Sequence, residues 1–203
     1  MYCQHSLHNF VQETCGNREP SHGIDHFKRV RDKALAINDS LSFQVKKEDI
    51  ILVAMLHDVA DHKYDHDGSL EKHLRYWLES QTDLDVQIIM DTISSISYSK
   101  ERKFGMRWFE SNLGPYWTRV RDIVSDADKL EAIGNIGGLR CLQYAQEHGY
   151  NDKNAVKHLV ENILEKLIYI KDKYLVTDLA KQLAEPLHED LLIFGLKSAL
   201  EHI

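Results

Sequence analysis

The chain has 203 residues, 43% of them hydrophobic and 28% charged, and a formal net charge of −7. That length supports one compact domain with a core of ordinary size, so neither a disulfide framework nor a structural zinc is required. The negative balance argues against a nucleic-acid polymer or an anionic membrane as partner, although a bound cation and a few local Lys or Arg side chains can reverse the field inside a pocket.

Only 3 prolines and 10 glycines interrupt the chain, which favours long helices. No composition break, repeat or linker divides it, and the expectation is a single domain over residues 1–203. Cys3, Cys15 and Cys141 are odd in number and form no C-x-x-C pair, as for reduced thiols. The first residues lack a signal-peptide pattern, and no uncharged apolar stretch reaches the ~18 residues of a membrane span. A cytoplasmic location is the expectation.

In chain order, residues 3–15 predict a first helix that stops at Gly16. Ser21 is the expected N-cap of a second, on which Ile24, Phe27, Val30, Ala34, Leu35 and Ile37 form an apolar stripe. His22, His26, Arg29 and Lys33 recur along a neighbouring face. Residues 46–60 predict a third helix whose centre, Ile50 to Leu56, is apolar all round. Periodicity alone also allows a buried strand there; the helix-compatible charges of Lys46 to Asp49 favour helix. Further helices are expected near 69–80 and 83–96, with an irregular stretch over 99–115. Helices resume at 116–132, 135–148, 152–173 and 176–202, the last kinked or divided by Pro186. The fold class is all-α, a helical bundle of eight or nine helices.

Chemistry concentrates around His57-Asp58, directly after the apolar helix. Polar, metal-competent side chains ending a buried helix are costly unless something inside the fold uses them. At a helix end, neighbours can converge on one ion. An imidazole and a carboxylate together suit manganese, iron, zinc, nickel or cobalt, and the carboxylate admits magnesium. An isolated His-Asp pair is otherwise a core histidine beside a capping aspartate. His26 lies on a preceding helix and Asp128 on a later one, giving an order of His, His-Asp about 30 residues on, and Asp about 70 residues later.

That order resembles the HD-domain superfamily of metal-dependent phosphohydrolases, most closely its small bacterial-type nucleotide phosphohydrolase and pyrophosphohydrolase branch. The segments "SHGIDHFKRVRDKAL", "AMLHDVADHKY", "IVSDADKLEAIGNIGGLR" and "ENILEKLIYIKDKYLVTDLAKQLAEPLHEDLLIF" are similar to that branch and together run through nearly the whole chain. Two places depart from it. Ser97-Tyr98-Ser99-Lys100 stands where a phenylalanine directly precedes lysine, and 102–120 is richer in Trp and Phe than the usual short loop. Both departures bear on substrate choice.

The resemblance implies metal ligands at His26, His57, Asp58 and Asp128, with Asp126 competing for the last place. It implies one divalent ion, manganese first, with magnesium, cobalt, nickel, zinc or iron compatible. Asp58 and Asp61 are the catalytic candidates; Asp61, if the helix continues, shares a side with His57 and resembles the superfamily's water-orienting or proton-transferring group. A solvated loop aspartate is the competing reading. Arg29, Lys63, Lys100, Arg140 and His22 are the candidates for substrate contact, the cations through phosphate. His62 and His66, with Asp65 and Asp67, read as solvated surface.

The activity implied is hydrolysis of (deoxy)nucleoside triphosphates to monophosphate and pyrophosphate, with 5′-nucleotidase action on monophosphates second. A non-catalytic metal- or nucleotide-binding regulator and a di-iron oxygenase are the other classes. A small-molecule nucleotide is the expected partner, and aromatic content around Trp108 and Trp117 suggests a homodimer.

Overall fold

The apolar run of residues 50–56 folds as helix and not as strand, and no strand occurs among the described residues of this computed structural model, which are 2–18 and 23–201. They form ten α-helices, more than the eight or nine expected: α1 (Gln4–Cys15), α2 (Ile24–Ser40), α3 (Lys47–Leu56), α4 (Ser69–Glu79), α5 (Val86–Ser95), α6 (Tyr98–Phe104), α7 (Glu110–Glu131), α8 (Gly134–Glu147), α9 (Asp152–Glu165) and α10 (Asp178–Leu200). A 3₁₀ turn (Leu167–Tyr169) and a π turn (Ile170–Tyr174) separate the last two. No helix among the described residues is long and apolar enough to cross a membrane. Two compact units divide the chain after Ser125, inside α7.

In the first unit, α2 and α3 form an αα-hairpin. Asn38 is fully buried and clasps the connection: its Nδ2 donates to the Val45 carbonyl at 3.1 Å, and its Oδ1 accepts from Val45 N–H at 3.0 Å. A short connection makes the helices antiparallel neighbours. The first turn of α2 therefore meets the last turn of α3, and the Phe27 ring stands edge-on to His57 with centroids 5.4 Å apart. Leu52, Val53, Ala54 and Leu56 are inaccessible to solvent, as an all-round apolar helix requires. The Ser21 cap lies outside the described residues, and α2 begins at Ile24 after Gly23.

The expected third helix, 46–60, ends early. It stops at Leu56 and continues as tight turns, with Val59 N–H on the Leu56 carbonyl and Asp61 N–H on the Asp58 carbonyl. Here a side chain competes for the backbone: Nδ1 of His57 lies 2.8 Å from the Ala54 carbonyl, the acceptor that a continuing helix offers to Asp58 N–H.

Residues 99–115 are more regular than expected. Ser97 caps α6, and Glu101 within it is buried against Arg121 of α7. Arg121 is completely inaccessible; it donates through Nε and Nη2 to the Ser95 carbonyl at 3.1 and 2.9 Å and lies over the Phe109 ring at 4.3 Å. Seven residues are too few to show an apolar stripe, and this ion pair ties α6 to α7. Gly114, at φ +67°, breaks α7 just before Pro115, so its long stretch starts where Pro is favoured as first residue.

In the second unit, α8, α9 and α10 pack on one another. Gly138 of α8 has no room for a Cβ, which would collide with the Phe194 ring of α10. The expected helix over 152–173 stops at Glu165 and gives way to the 3₁₀ and π turns. Pro186 does not divide α10, which runs unbroken from Asp178 to Leu200.

Trp108 and Trp117 are half-buried: Trp108 packs on Phe104 and Phe109, and Trp117 on Tyr116. Their neighbours Phe104 and Tyr116 are exposed, so the aromatic surface from which a homodimer was expected lies beside the two tryptophans.

Candidate metal centre

The hairpin brings His26, from the first turn of α2, to His57 and Asp58 in the turn that ends α3. One ligand atom from each lies within 4.8 Å of the others. Both imidazoles approach the same carboxylate oxygen: Asp58 Oδ2 is 3.7 Å from His26 Nε2 and 3.5 Å from His57 Nε2. The two histidine side chains are inaccessible, while Asp58 keeps 22% of its surface. The cluster is thus closed on the imidazole side and open at the carboxylate.

Hydrogen bonding settles the state of one ring. A carbonyl can only accept, so the proton of His57 sits on Nδ1, facing Ala54. In the neutral ring the Nε2 lone pair then faces the Asp58 carboxylate, and two acceptors aimed at each other at 3.5 Å are stabilised by a cation between them. Ligand atoms about 2.1 Å from a common ion, at angles of about 90–120°, stand about 3.0–3.6 Å apart; the His57 pair at 3.5 Å falls in that range and the His26 pair at 3.7 Å just beyond it. The donor set of two imidazoles and one carboxylate suits a divalent transition metal.

Asp126 and Asp128 both belong to the second unit, and their roles there differ. Asp126 is inaccessible and spends both oxygens on the segment leading into α10: it accepts from Val176 N–H at 3.0 and 3.1 Å, Thr177 N–H at 2.7 Å and the Thr177 hydroxyl at 2.7 Å. Burial raises its pKa, opposed by these hydrogen bonds. Asp128 is half-buried two residues further along the helix, on another side of it.

Asp61 does not sit on a continued α3, as the expectation required. It opens the next turn, its Oδ1 accepting from Lys63 N–H at 2.8 Å and its carbonyl from Tyr64 and Asp65 N–H at 2.9 Å. Lys63 is exposed and Arg29 half-buried. Lys100 is held by its ammonium on the Ser94 hydroxyl, and Arg140 donates to the Glu131 carbonyl at the end of α7 at 3.1 Å. His22 lies outside the described residues. His62 and His66 are exposed, and His62 lies 3.3 Å from Asp61.

Sequence reasoning missed Arg18. Its guanidinium donates to the Asp58 carbonyl at 2.8 Å and the Val59 carbonyl at 2.6 Å, and lies 4.2 Å above the Tyr64 ring. It follows α1 in a connection with no periodicity, and no local signal marks it. Beside it, burial pushes the Cys15 thiol up to about 11.

No family model matches the chain. A viral relative, the uncharacterized protein L803 of Acanthamoeba polyphaga mimivirus, is 35% identical over 151 residues, covering 66% of this chain. The match spans 58% of that relative's length. The uncharacterized protein YpgQ of Bacillus subtilis is 26% identical over 200 residues, covering 93% of this chain and 88% of YpgQ. The crystal structure of YpgQ in complex with ADP aligns over 98% of this chain and 96% of its own, with a TM-score of 0.69 and 21% identity. An HD-superfamily hydrolase from Bacillus thuringiensis aligns over 98% and 95%, with a TM-score of 0.66 and 24% identity. The chain, aligned over nearly its whole length, shares the fold of these structures, an HD-superfamily hydrolase among them.

Proposed function

We propose that this chain is a divalent-metal-dependent phosphohydrolase of nucleotides, cleaving (deoxy)nucleoside triphosphates to monophosphate and pyrophosphate. The observation that carries the reading is the convergence of His26 Nε2 and His57 Nε2 on one oxygen of Asp58, with the His57 proton turned away onto Ala54. Such a group holds a cation through neutral imidazoles and leaves the exposed side of Asp58 towards substrate. When bound, the ion supplies Lewis acidity at a phosphoryl oxygen and acidifies water. Manganese is the first choice of ion.

Asp128 is the fourth ligand in this reading, since Asp126 is already committed to Val176 and Thr177. Asp61 keeps one oxygen outside its contact with Lys63 N–H and serves to orient and deprotonate the attacking water. Arg29, Lys63, Lys100 and Arg140 are the candidates to offer charge to the phosphates; Lys100 also bonds the Ser94 hydroxyl and Arg140 the Glu131 carbonyl. A nucleotide substrate accords with the ADP complex of YpgQ.

The test is a panel of nucleoside mono-, di- and triphosphates with manganese, magnesium and cobalt, scored separately for phosphate and pyrophosphate. Pyrophosphate from triphosphates, abolished in Asp58→Ala, is the expected result. Phosphate from monophosphates alone would replace this reading by a 5′-nucleotidase. No turnover by a metal-loaded protein would replace it by a regulator.

A further inference from the structure

The turn that carries Asp58 has a structural problem of its own. When α3 stops at Leu56, the carbonyls that follow lose their helical partners, close to a buried histidine pair. Asp61 N–H reaches the Asp58 carbonyl at 3.2 Å; Arg18, 40 residues earlier in the chain, supplies a second bond to that carbonyl at 2.8 Å and one to its neighbour Val59 at 2.6 Å.

We propose that Arg18 is a positioning residue of the metal centre: by gripping the Asp58 and Val59 carbonyls it sets the direction in which the Asp58 carboxylate leaves the backbone. The inference rests on the metal reading above. A guanidinium suits the task because two of its nitrogens form a rigid fork that bonds both carbonyls at once, and its flat face is left for the Tyr64 ring at 4.2 Å. Tyr64 follows Asp61 by one turn, and its N–H bonds the Asp61 carbonyl at 2.9 Å, so the stack also steadies the segment bearing the proposed base. One N–H of each terminal nitrogen is spent on backbone, which holds the guanidinium against the turn. Lysine offers one point charge in place of the fork and cannot hold both carbonyls in the same plane.

The test is cobalt(II) binding to the full chain, followed by visible absorption and by calorimetry, for wild type, Arg18→Ala and Arg18→Lys. Circular dichroism of each metal-free protein at the same temperature checks that it is folded. Arg18→Ala is expected to weaken cobalt binding about 10- to 100-fold, as loss of a partner supporting a metal ligand does, and to alter the absorption of the bound ion. Arg18→Lys is expected to fall between. Millimolar methylguanidinium should restore part of the affinity in Arg18→Ala, a response that general destabilisation does not produce. Cobalt affinity within twofold of wild type and an unchanged spectrum in folded Arg18→Ala would overturn the proposal. Should that variant not fold, wild-type affinity in Arg18→Lys overturns it equally. A wild-type protein that binds no cobalt would remove the metal reading itself, and the role of Arg18 with it.

Discussion

Nδ1 of His57 lies 2.8 Å from the Ala54 carbonyl oxygen, three residues back along α3. This contact ends the helix, fixes which nitrogen carries the proton, and turns the other nitrogen towards Asp58. Replacing His57 by glutamine should therefore remove a ligand and weaken manganese binding by more than about 100-fold, the upper range for loss of a mere supporting partner. Calorimetric titration of folded His57→Gln with manganese checks this; affinity within tenfold of wild type would exclude His57 as a ligand.

The two aspartates of the DAD segment should separate cleanly. Asp126→Asn loses charge-assisted bonds to Val176 and Thr177 and should cost about 1–3 kcal/mol of stability, read by urea denaturation, with metal binding retained. Asp128→Asn should do the reverse. If Asp126→Asn loses the metal and Asp128→Asn keeps it, the two assignments exchange.

Asp61→Asn keeps an oxygen for Lys63 N–H and removes only the charge. Metal affinity should stay within about threefold of wild type while turnover falls about 10²- to 10⁴-fold, the usual contribution of a general base. Turnover equal to wild type would return Asp61 to the role of a turn residue.

Arg121 has no exposure at all and holds Glu101, Asp122 and the Ser95 carbonyl together. Arg121→Met removes the cation that faces buried Glu101, while Asp122 keeps Arg107, and should destabilise by about 3–5 kcal/mol. The double variant Arg121→Met with Glu101→Leu should recover much of that loss. Chemical denaturation of the three proteins checks both statements, and a loss below about 1 kcal/mol in the single variant would mean that the network contributes little.

Thiol chemistry provides a further check on burial. Cys3 is exposed, whereas Cys15 is fully buried and its thiol is pushed up to about 11. The unfolded value is about 8.5, so at pH 8 folding lowers the thiolate fraction of Cys15 roughly 200-fold. Alkylation mapped by peptide mass should label Cys3 first and Cys15 only on unfolding. Rapid labelling of Cys15 in the native protein would contradict its placement.

Much of this protein was legible in one dimension. The all-helical class followed from few breakers and apolar stripes of helical period, and most helices start and stop within a few residues of their expected limits, α9 ending well before its own. His26, His57 and Asp58, whose ligand atoms lie within 4.8 Å of one another, were named from a polar pair ending an apolar helix together with the resemblance of their order to the HD-domain superfamily. Three things were not legible there, two of them decided only by tertiary structure. Helix α6 is tied to α7 through Glu101 and Arg121, a partner 20 residues distant that no local window contains. Helix α3 ends at Leu56, where a local contact from the His57 side chain takes the carbonyl a further turn would need, which propensity does not register. Arg18 finds the Asp58 and Val59 carbonyls from 40 residues away, and a long-range bond to backbone leaves no trace in the sequence of its acceptor. Residue identity determined which chemistry is available, and the packing of α1, α2 and α3 determined where those groups point.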